Sequence, residues 1–301
     1  MFRKIFLEIT SVCNLACPFC SPIRRDNTFL SPDHFQKILT EASCLSQRIL
    51  LHVKGEPLLH PDFSRLIQLG QQTGARFEIT TNGLLLEGKE EALLASSVVQ
   101  INFSLHALLA NEVENLPLKV ETVLAFARKA GIVRPDLYIN FRFWDMGRPE
   151  ELPRNPILQK LEDLYGFRLG EVDVRKKKSF LLSGRTYLHF DTEFRWPSMK
   201  DPFIGDRGFC YGLRDQIAIL SNGVVTPCCL DAEGIIHLGN AFTESLSHII
   251  SGRRAENIRQ GFSQGFLSED LCRRCTYIRR FSSRTLKRKR VAHSRPETII
   301  C

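Results

Sequence analysis

The chain has 301 residues, 43% of them hydrophobic and 25% charged, which is enough for one large domain or for a domain with a smaller companion. No run approaches the ~18 uninterrupted apolar residues of a membrane-spanning helix, and Glu8 interrupts the apolar N-terminus before a signal-peptide core can form, so a cytoplasmic location is expected. The net charge of +8 is uneven: from Thr276 onward eight Lys and Arg stand against Glu297 alone, and the body is close to neutral. Such a tail reads as a solvated end before it reads as an anchor for nucleic acid.

In chain order, the runs with β character are Ile5–Thr10, Arg48–Val53, Arg76–Thr81, Val99–Leu105, Leu137–Phe143 and a weaker one at Phe167–Val174. Amphipathic stretches at Pro32–Ala42, Pro61–Thr73, Glu87–Ala95, Leu118–Ala130 and Pro156–Tyr165 separate them. Ser31-Pro32-Asp33 and His60-Pro61-Asp62 mark helix starts, and Gly74 and Gly131 stand where C-caps are expected. Six β–α repeats predict an α/β fold whose parallel sheet either curls toward a barrel or stays open; in both cases ligands gather at the C-terminal strand ends. Residues 176–209 read as a connector without clear period. Beyond it, Gln216–Leu220 and Val224–Pro227 flank Ser221-Asn222-Gly223, a hairpin signal. Glu244–Phe262 predicts one helix or two, broken at Gly252.

Ten cysteines are many for a cytosolic chain, where clustered thiols serve as metal ligands or redox groups rather than disulfides. Cys13, Cys17 and Cys20 fall within eight residues, directly after the first strand. Thiolates suit zinc or iron–sulfur clusters. A structural zinc site wants four protein ligands, whereas a cubane held by three would keep one iron open for a substrate. A second set, Cys210, Cys228, Cys272 and Cys275, has four members, and the Asn222-Gly223 turn folds one strand back to bring Cys228 toward Cys210. On spacing alone this set suits zinc as well as a cluster.

The segment Cys13-Asn-Leu-Ala-Cys17-Pro-Phe19-Cys20 resembles the CxxxCxxC signature of the radical S-adenosylmethionine (radical SAM) superfamily, with an aromatic residue before the last cysteine. Lys54-Gly55-Glu56-Pro57 resembles the family's GGEP element, with Lys54 in place of the first glycine; Thr81-Asn82-Gly83 resembles its TNG segment. The resemblance implies a partial (β/α)6 TIM-like barrel over residues 1–175. It also implies a [4Fe–4S] cluster on Cys13, Cys17 and Cys20, with S-adenosylmethionine on the open iron. Gly55 and Glu56 would meet the cosubstrate's ammonium group, and Asn82 would lie beside them. Ser104 would lie near its ribose or carboxylate, and Arg142 would pair with the carboxylate.

The layout Gly223–Cys229, Leu238-Gly239-Asn240 and Leu271–Cys275 is similar to the family's C-terminal auxiliary-cluster domain, called SPASM or, when shortened, twitch. A small α+β cluster-binding domain over residues 210–278 and a basic tail over 279–301 follow. The two-cluster form needs further cysteines soon after Cys275, and none stands before Cys301, so one auxiliary [4Fe–4S] cluster is implied. Cys229 should point away from it.

The expected activity is reductive cleavage of S-adenosylmethionine to a 5′-deoxyadenosyl radical that takes hydrogen from a small molecule or peptide. In a net oxidation the auxiliary cluster would accept the electron and Asp231 is a candidate for the proton. Flavodoxin or ferredoxin would supply the reducing electron. With the cluster motif beginning at residue 13, a peptide-modifying activity would be expected to need a leader-binding module on another chain. Two rival readings are RNA modification through the basic tail and a zinc-binding interaction protein without activity.

Overall fold

The computed structural model describes residues 1–144, 152, 154–169, 174 and 177–281. In chain order its elements are β1 (Lys4–Leu7), α1 (Pro32–Leu45), β2 (Ile49–Leu50), α2 (Phe63–Thr73), β3 (Phe77–Thr81), α3 (Glu90–Leu93), β4 (Val98–Ser104), α4 (Leu105–Ala110), α5 (Leu116–Val133), β5 (Tyr138–Trp144), α6 (Pro156–Tyr165), β6 (Ser179–Ser183), β7 (Thr186–Asp191), β8 (Gln216–Ile219), β9 (Val224–Thr226), β10 (Gly239–Asn240), α7 (Leu246–Ser251) and α8 (Arg253–Gln264). They divide into two compact units whose segments interleave along the chain. One comprises 1–11, 21–54 and 194–301, the other 12–20 and 55–193.

In the first unit the strand order is β10-β9-β8-β1-β2. Strand β1 pairs in parallel with both β2 and β8, so the strand opening the C-terminal hairpin shares a sheet with the start of the chain. The hairpin forms at Ser221–Gly223 as its turn chemistry predicts, with β8 and β9 antiparallel. Gly252 breaks the last long helical pattern into α7 and α8 with an extended backbone, ψ 154°.

A buried ion pair organises this unit. Glu8, fully buried just after β1, accepts from the Arg25 guanidinium at 2.5 and 2.6 Å, from the Ser221 amide and hydroxyl at 3.1 and 2.8 Å, and from the Lys54 amide at 3.0 Å. Arg25 also donates Nε–H to the Ala232 carbonyl at 2.8 Å, and the Glu233 carboxylate accepts from the Arg24 and Arg25 amides. The residue that interrupts the apolar N-terminus is thus the anchor of the segment that follows Cys20.

In the second unit the order is β3-β4-β5-β7-β6, with β3, β4, β5 and β7 parallel and β6 antiparallel to β7. Period-two alternation sends Phe77, Ile79, Ile101, Phe103, Ile139, Phe141, Leu188 and Phe190 to one buried face. The opposite face carries Thr80, Asn102, Asn140 and Tyr187 in one cross-strand row and Ser104, Arg142 and His189 in the next.

Four expectations change here. Residues 176–209 are not patternless: Phe180, Leu188 and Phe190 are buried, and β7 takes the place beside β5 that the weak run at 167–174 was expected to fill. Within that run 170–173 lie outside the described residues, as does the boundary near 175. Gly131 caps nothing, because α5 continues to Val133 and Arg134 closes it by donating its amide to Ala130 O at 2.8 Å. Helix α4, too short to show a period, went unpredicted. Of the tail, Arg279 and Arg280 belong to a short 3-10 helix, Thr276–Arg280, and 282–301 lie outside the described residues.

Truncating Arg25 to Met leaves the Glu8 carboxylate buried without its counter-charge. Urea denaturation should show a loss of about 3–5 kcal/mol, with a Glu8→Leu/Arg25→Met double variant less damaged than Arg25→Met alone.

Candidate catalytic loop and auxiliary thiol site

The loop carrying Cys13, Cys17 and Cys20 has no regular secondary structure, and its internal tie is the Cys20 amide on the Cys17 carbonyl at 2.9 Å. Three clamps from the second unit hold it. The Glu56 amide donates to Val12 O at 2.8 Å. The Asn82 side-chain amide donates to Asn14 Oδ1 at 2.8 Å. Asn111, just past α4, accepts from the Ala16 amide at 3.0 Å and donates to Cys17 Sγ at 3.1 Å. Gly55-Glu56-Pro57, Asn82 and the loop are thereby brought together at the C-terminal end of β3.

Glu56 itself departs from its expected role. Its carboxylate accepts from the Thr81 hydroxyl at 2.7 Å, the Asn82 amide at 2.7 Å and the Leu58 amide at 3.1 Å. Both oxygens are spent on the protein, so the side chain brackets the Thr81-Asn82-Gly83 turn rather than presenting itself to an ammonium group. The turn needs its glycine: Gly83 has φ +79°, and a Cβ there would stand 2.7 Å from Val123. Burial pushes the Glu56 carboxyl up to about 6 against the three hydrogen bonds that favour its ionised form.

Ser104 and Arg142 face each other across β4 and β5, and His189 on β7 lies opposite Arg142. Sequence reading missed His189 because it sits in the supposed connector. Burial and the Arg142 guanidinium lower its pKa, so its ring is neutral at pH 7. Phe19, from the cysteine motif, packs against His106 and Trp144 at centroid distances of 5.1 and 4.7 Å, and His106 stacks on Trp144 at 4.6 Å. His106 Nδ1–H donates to the Arg142 carbonyl at 3.0 Å, and burial holds the ring neutral, with a pKa of about 4.

In the first unit Cys210, Cys228, Cys229, Cys272 and Cys275 are electrostatically coupled: burial is the main cause that raises the thiols of Cys228, Cys229, Cys272 and Cys275, and Cys210 adds to each. The Cys275 amide donates to Cys272 O at 3.2 Å, and the Leu213 amide reaches Pro227 O at 3.1 Å, tying the Cys210 and Cys228 segments. Cys229 also packs against the apolar cluster of Phe6, Leu50, Val53, Ala218, Leu220 and Ala232.

Asp231 is a correction. It is 2% exposed, and its carboxylate accepts from the Ile235 and Ile236 amides at 2.9 and 2.7 Å. A side chain so engaged shapes its loop and is not placed to collect a substrate proton.

Both donor sets fit iron–sulfur chemistry. Sulfur alone is offered, in a set of three and a set of four. In the metal-free chain the Cys13 thiol is pushed up to about 11 by burial, with the Glu56 carboxylate and the other two thiols adding to it. Loading must displace that proton.

Because the Glu56 carboxyl is raised in the folded state, its contribution to stability is fully present below its unfolded pKa, near 4.5, and is lost as pH rises through about 6. A neutral Glu56→Gln side chain has no such dependence. The stability of wild type relative to Glu56→Gln, read by urea denaturation, should fall by about 2 kcal/mol between pH 4 and pH 7.

Residues 7–135 match the radical SAM superfamily, and residues 210–276 match SPASM, an iron–sulfur cluster-binding domain. A GTP 3′,8-cyclase of Synechocystis sp. is 30% identical over 111 residues, 35% of this chain and 34% of that protein. The probable GTP 3′,8-cyclase of Methanococcus maripaludis is 24% identical over 303 residues, 86% of this chain and 92% of it. The chain thus matches about a third of the length of the first and nearly all of the second. Among solved structures, BtrN in complex with AdoMet and 2-DOIA superposes with a TM-score of 0.59 at 17% identity over 92% of this chain and 93% of that one. Streptococcus suis SuiB bound to S-adenosylmethionine gives 0.57 at 18%, over 91% and 72%. Among the described residues no helix is long and apolar enough to cross a membrane. An α/β fold of the partial-barrel class, a cysteine loop at a strand end and a cluster-binding C-terminal region together make this chain a radical SAM enzyme with a SPASM domain.

Proposed function

We propose that the enzyme oxidises a polar small molecule by hydrogen-atom abstraction, with one auxiliary cluster as electron acceptor. Cys13, Cys17 and Cys20 would hold the catalytic [4Fe–4S] cluster, and Cys210, Cys228, Cys272 and Cys275 the auxiliary one. When bound, the catalytic cluster supplies the electron that cuts S-adenosylmethionine to methionine and a 5′-deoxyadenosyl radical. The observation that carries the reading is the contrast between the two thiol sets, a clamped loop with three and a buried group with four.

In this reading Gly55, Asn82, Ser104 and Arg142 form the cosubstrate's bed. The backbone around Gly55 receives the ammonium group, since the Glu56 carboxylate is spent on the turn. The guanidinium of Arg142 faces a carboxylate. Phe19, His106 and Trp144 form an aromatic wall beside the motif. The substrate would lie against the row of Thr80, Asn102, Asn140 and Tyr187, a face rich in hydrogen-bonding groups, which favours a hydroxylated or charged small molecule over an apolar one. The substrate C–H would give its hydrogen atom to the radical; the substrate radical would then lose one electron, for which the auxiliary cluster would be the acceptor, and one proton from the adjacent O–H or N–H to neutral His189, in place of Asp231. The 2-DOIA complex of BtrN, alike over nearly the whole chain, supports small-molecule chemistry. The cyclase match near 30% identity covers only about a third of the chain and does not carry a substrate assignment. A flavodoxin or ferredoxin is the proposed reductant.

Anaerobic reconstitution should give about eight iron and eight sulfide per chain, two four-iron clusters' worth. With dithionite and S-adenosylmethionine, 5′-deoxyadenosine should accumulate. Cys17→Ala should eliminate it, while Cys272→Ala should spare cosubstrate cleavage and block substrate oxidation. Zinc in place of iron, or no 5′-deoxyadenosine from the loaded wild type, would end this reading.

A further inference from the structure

The clamp at Asn111 does more than hold the loop. Its side-chain amide uses every hydrogen-bonding group it has: Oδ1 accepts from the Ala16 amide at 3.0 Å, one Nδ2 proton goes to the Ala107 carbonyl at 2.7 Å, and the other to Cys17 Sγ at 3.1 Å. The orientation of the amide is fixed by these partners, because turning it over would set Nδ2 against the Ala16 N–H and Oδ1 against the Ala107 carbonyl. The contact to Ala107 also satisfies a carbonyl of the last turn of α4, so the donor that meets sulfur is attached to a helix end rather than to the loop.

A hydrogen bond donated to a ligand sulfur draws off part of its negative charge. Reduction adds an electron to the cluster and thickens that charge, so the donor stabilises the reduced state more than the oxidised one. We infer that Asn111 is a positioning residue that sets the reduction potential of the catalytic cluster upward through Cys17, and so makes the cluster easier to reduce. The inference rests on the assignment of Cys17 as a ligand of that cluster. Nothing in the cysteine motif marks Asn111, which lies 94 residues further along the chain.

Two variants separate tuning from mere support. Asn111→Ala removes the donor and the loop clamp without adding charge. Asn111→Asp keeps an acceptor for the Ala16 amide but has no proton for sulfur or for the Ala107 carbonyl. Iron content is measured first, and the potential of the loaded fraction is then read by EPR-monitored redox titration, with no substrate turnover involved. Both variants should hold about tenfold less reduced cluster at a fixed poise, equivalent to a midpoint about 59 mV more negative for a one-electron couple, and Asn111→Asp should load more iron than Asn111→Ala. If the loaded fraction of both variants titrates at the wild-type potential, Asn111 is only a clamp and the inference is overturned. If Asp shifts and Ala does not, the shift is due to charge, and the inference falls equally. A cluster that persists in Cys17→Ala with unchanged iron content would instead remove the assignment beneath it.

Discussion

Three thiols confined to eight residues repel one another once ionised, and the segment that bears them is neither helix nor strand. Its shape must come from outside. The Glu56 amide on Val12, the Asn82 amide on Asn14 and the Asn111 side chain on Ala16 and Cys17 provide it, from the turns after β2 and β3 and from the end of α4. The Glu56 amide lies outside any strand and the Asn82 and Asn111 groups are side chains, so holding the loop takes no hydrogen bond from regular structure.

The same economy appears in the sheet of the second unit. Alternation devotes one face to packed aromatic and aliphatic side chains and the other to Thr80, Asn102, Asn140, Ser104, Arg142 and His189. The polar side chains satisfy one another, as where Asn140 donates to Asn102 at 2.9 Å and Asn102 to Thr80 at 3.3 Å. A half-satisfied polar face is costly, and this one is wired across neighbouring strands. The first unit handles its own buried polarity through Glu8 and Arg25, whose ion pair fixes the chain that leaves the cysteine loop.

Much of the cosubstrate end was legible from local sequence because its chemistry is local. Close cysteine spacing, Gly55 before Glu56, and the Thr81-Asn82-Gly83 turn each express a constraint that neighbours in the chain impose on one another. The hairpin at Asn222-Gly223 and the break at Gly252 were legible for the same reason. Glu56 and Asp231 show the limit of such reading. A carboxylate beside a turn looks the same in sequence whether it awaits a ligand or is consumed by backbone amides, and in both cases the amides had taken it.

By itself the sequence determined the two thiol sets, their unequal number, and the succession of parallel strands and helices that places ligands at strand ends, since residue type and short-range period decide these. Only the tertiary structure decided that β7 rather than the run at 167–174 stands beside β5, that β8 joins β1, that His189 faces Arg142, and that Asn111 reaches Cys17. Those pairings join residues between 47 and 212 positions apart. Their energies depend on which surfaces meet in space, and nothing in the neighbouring residues records that.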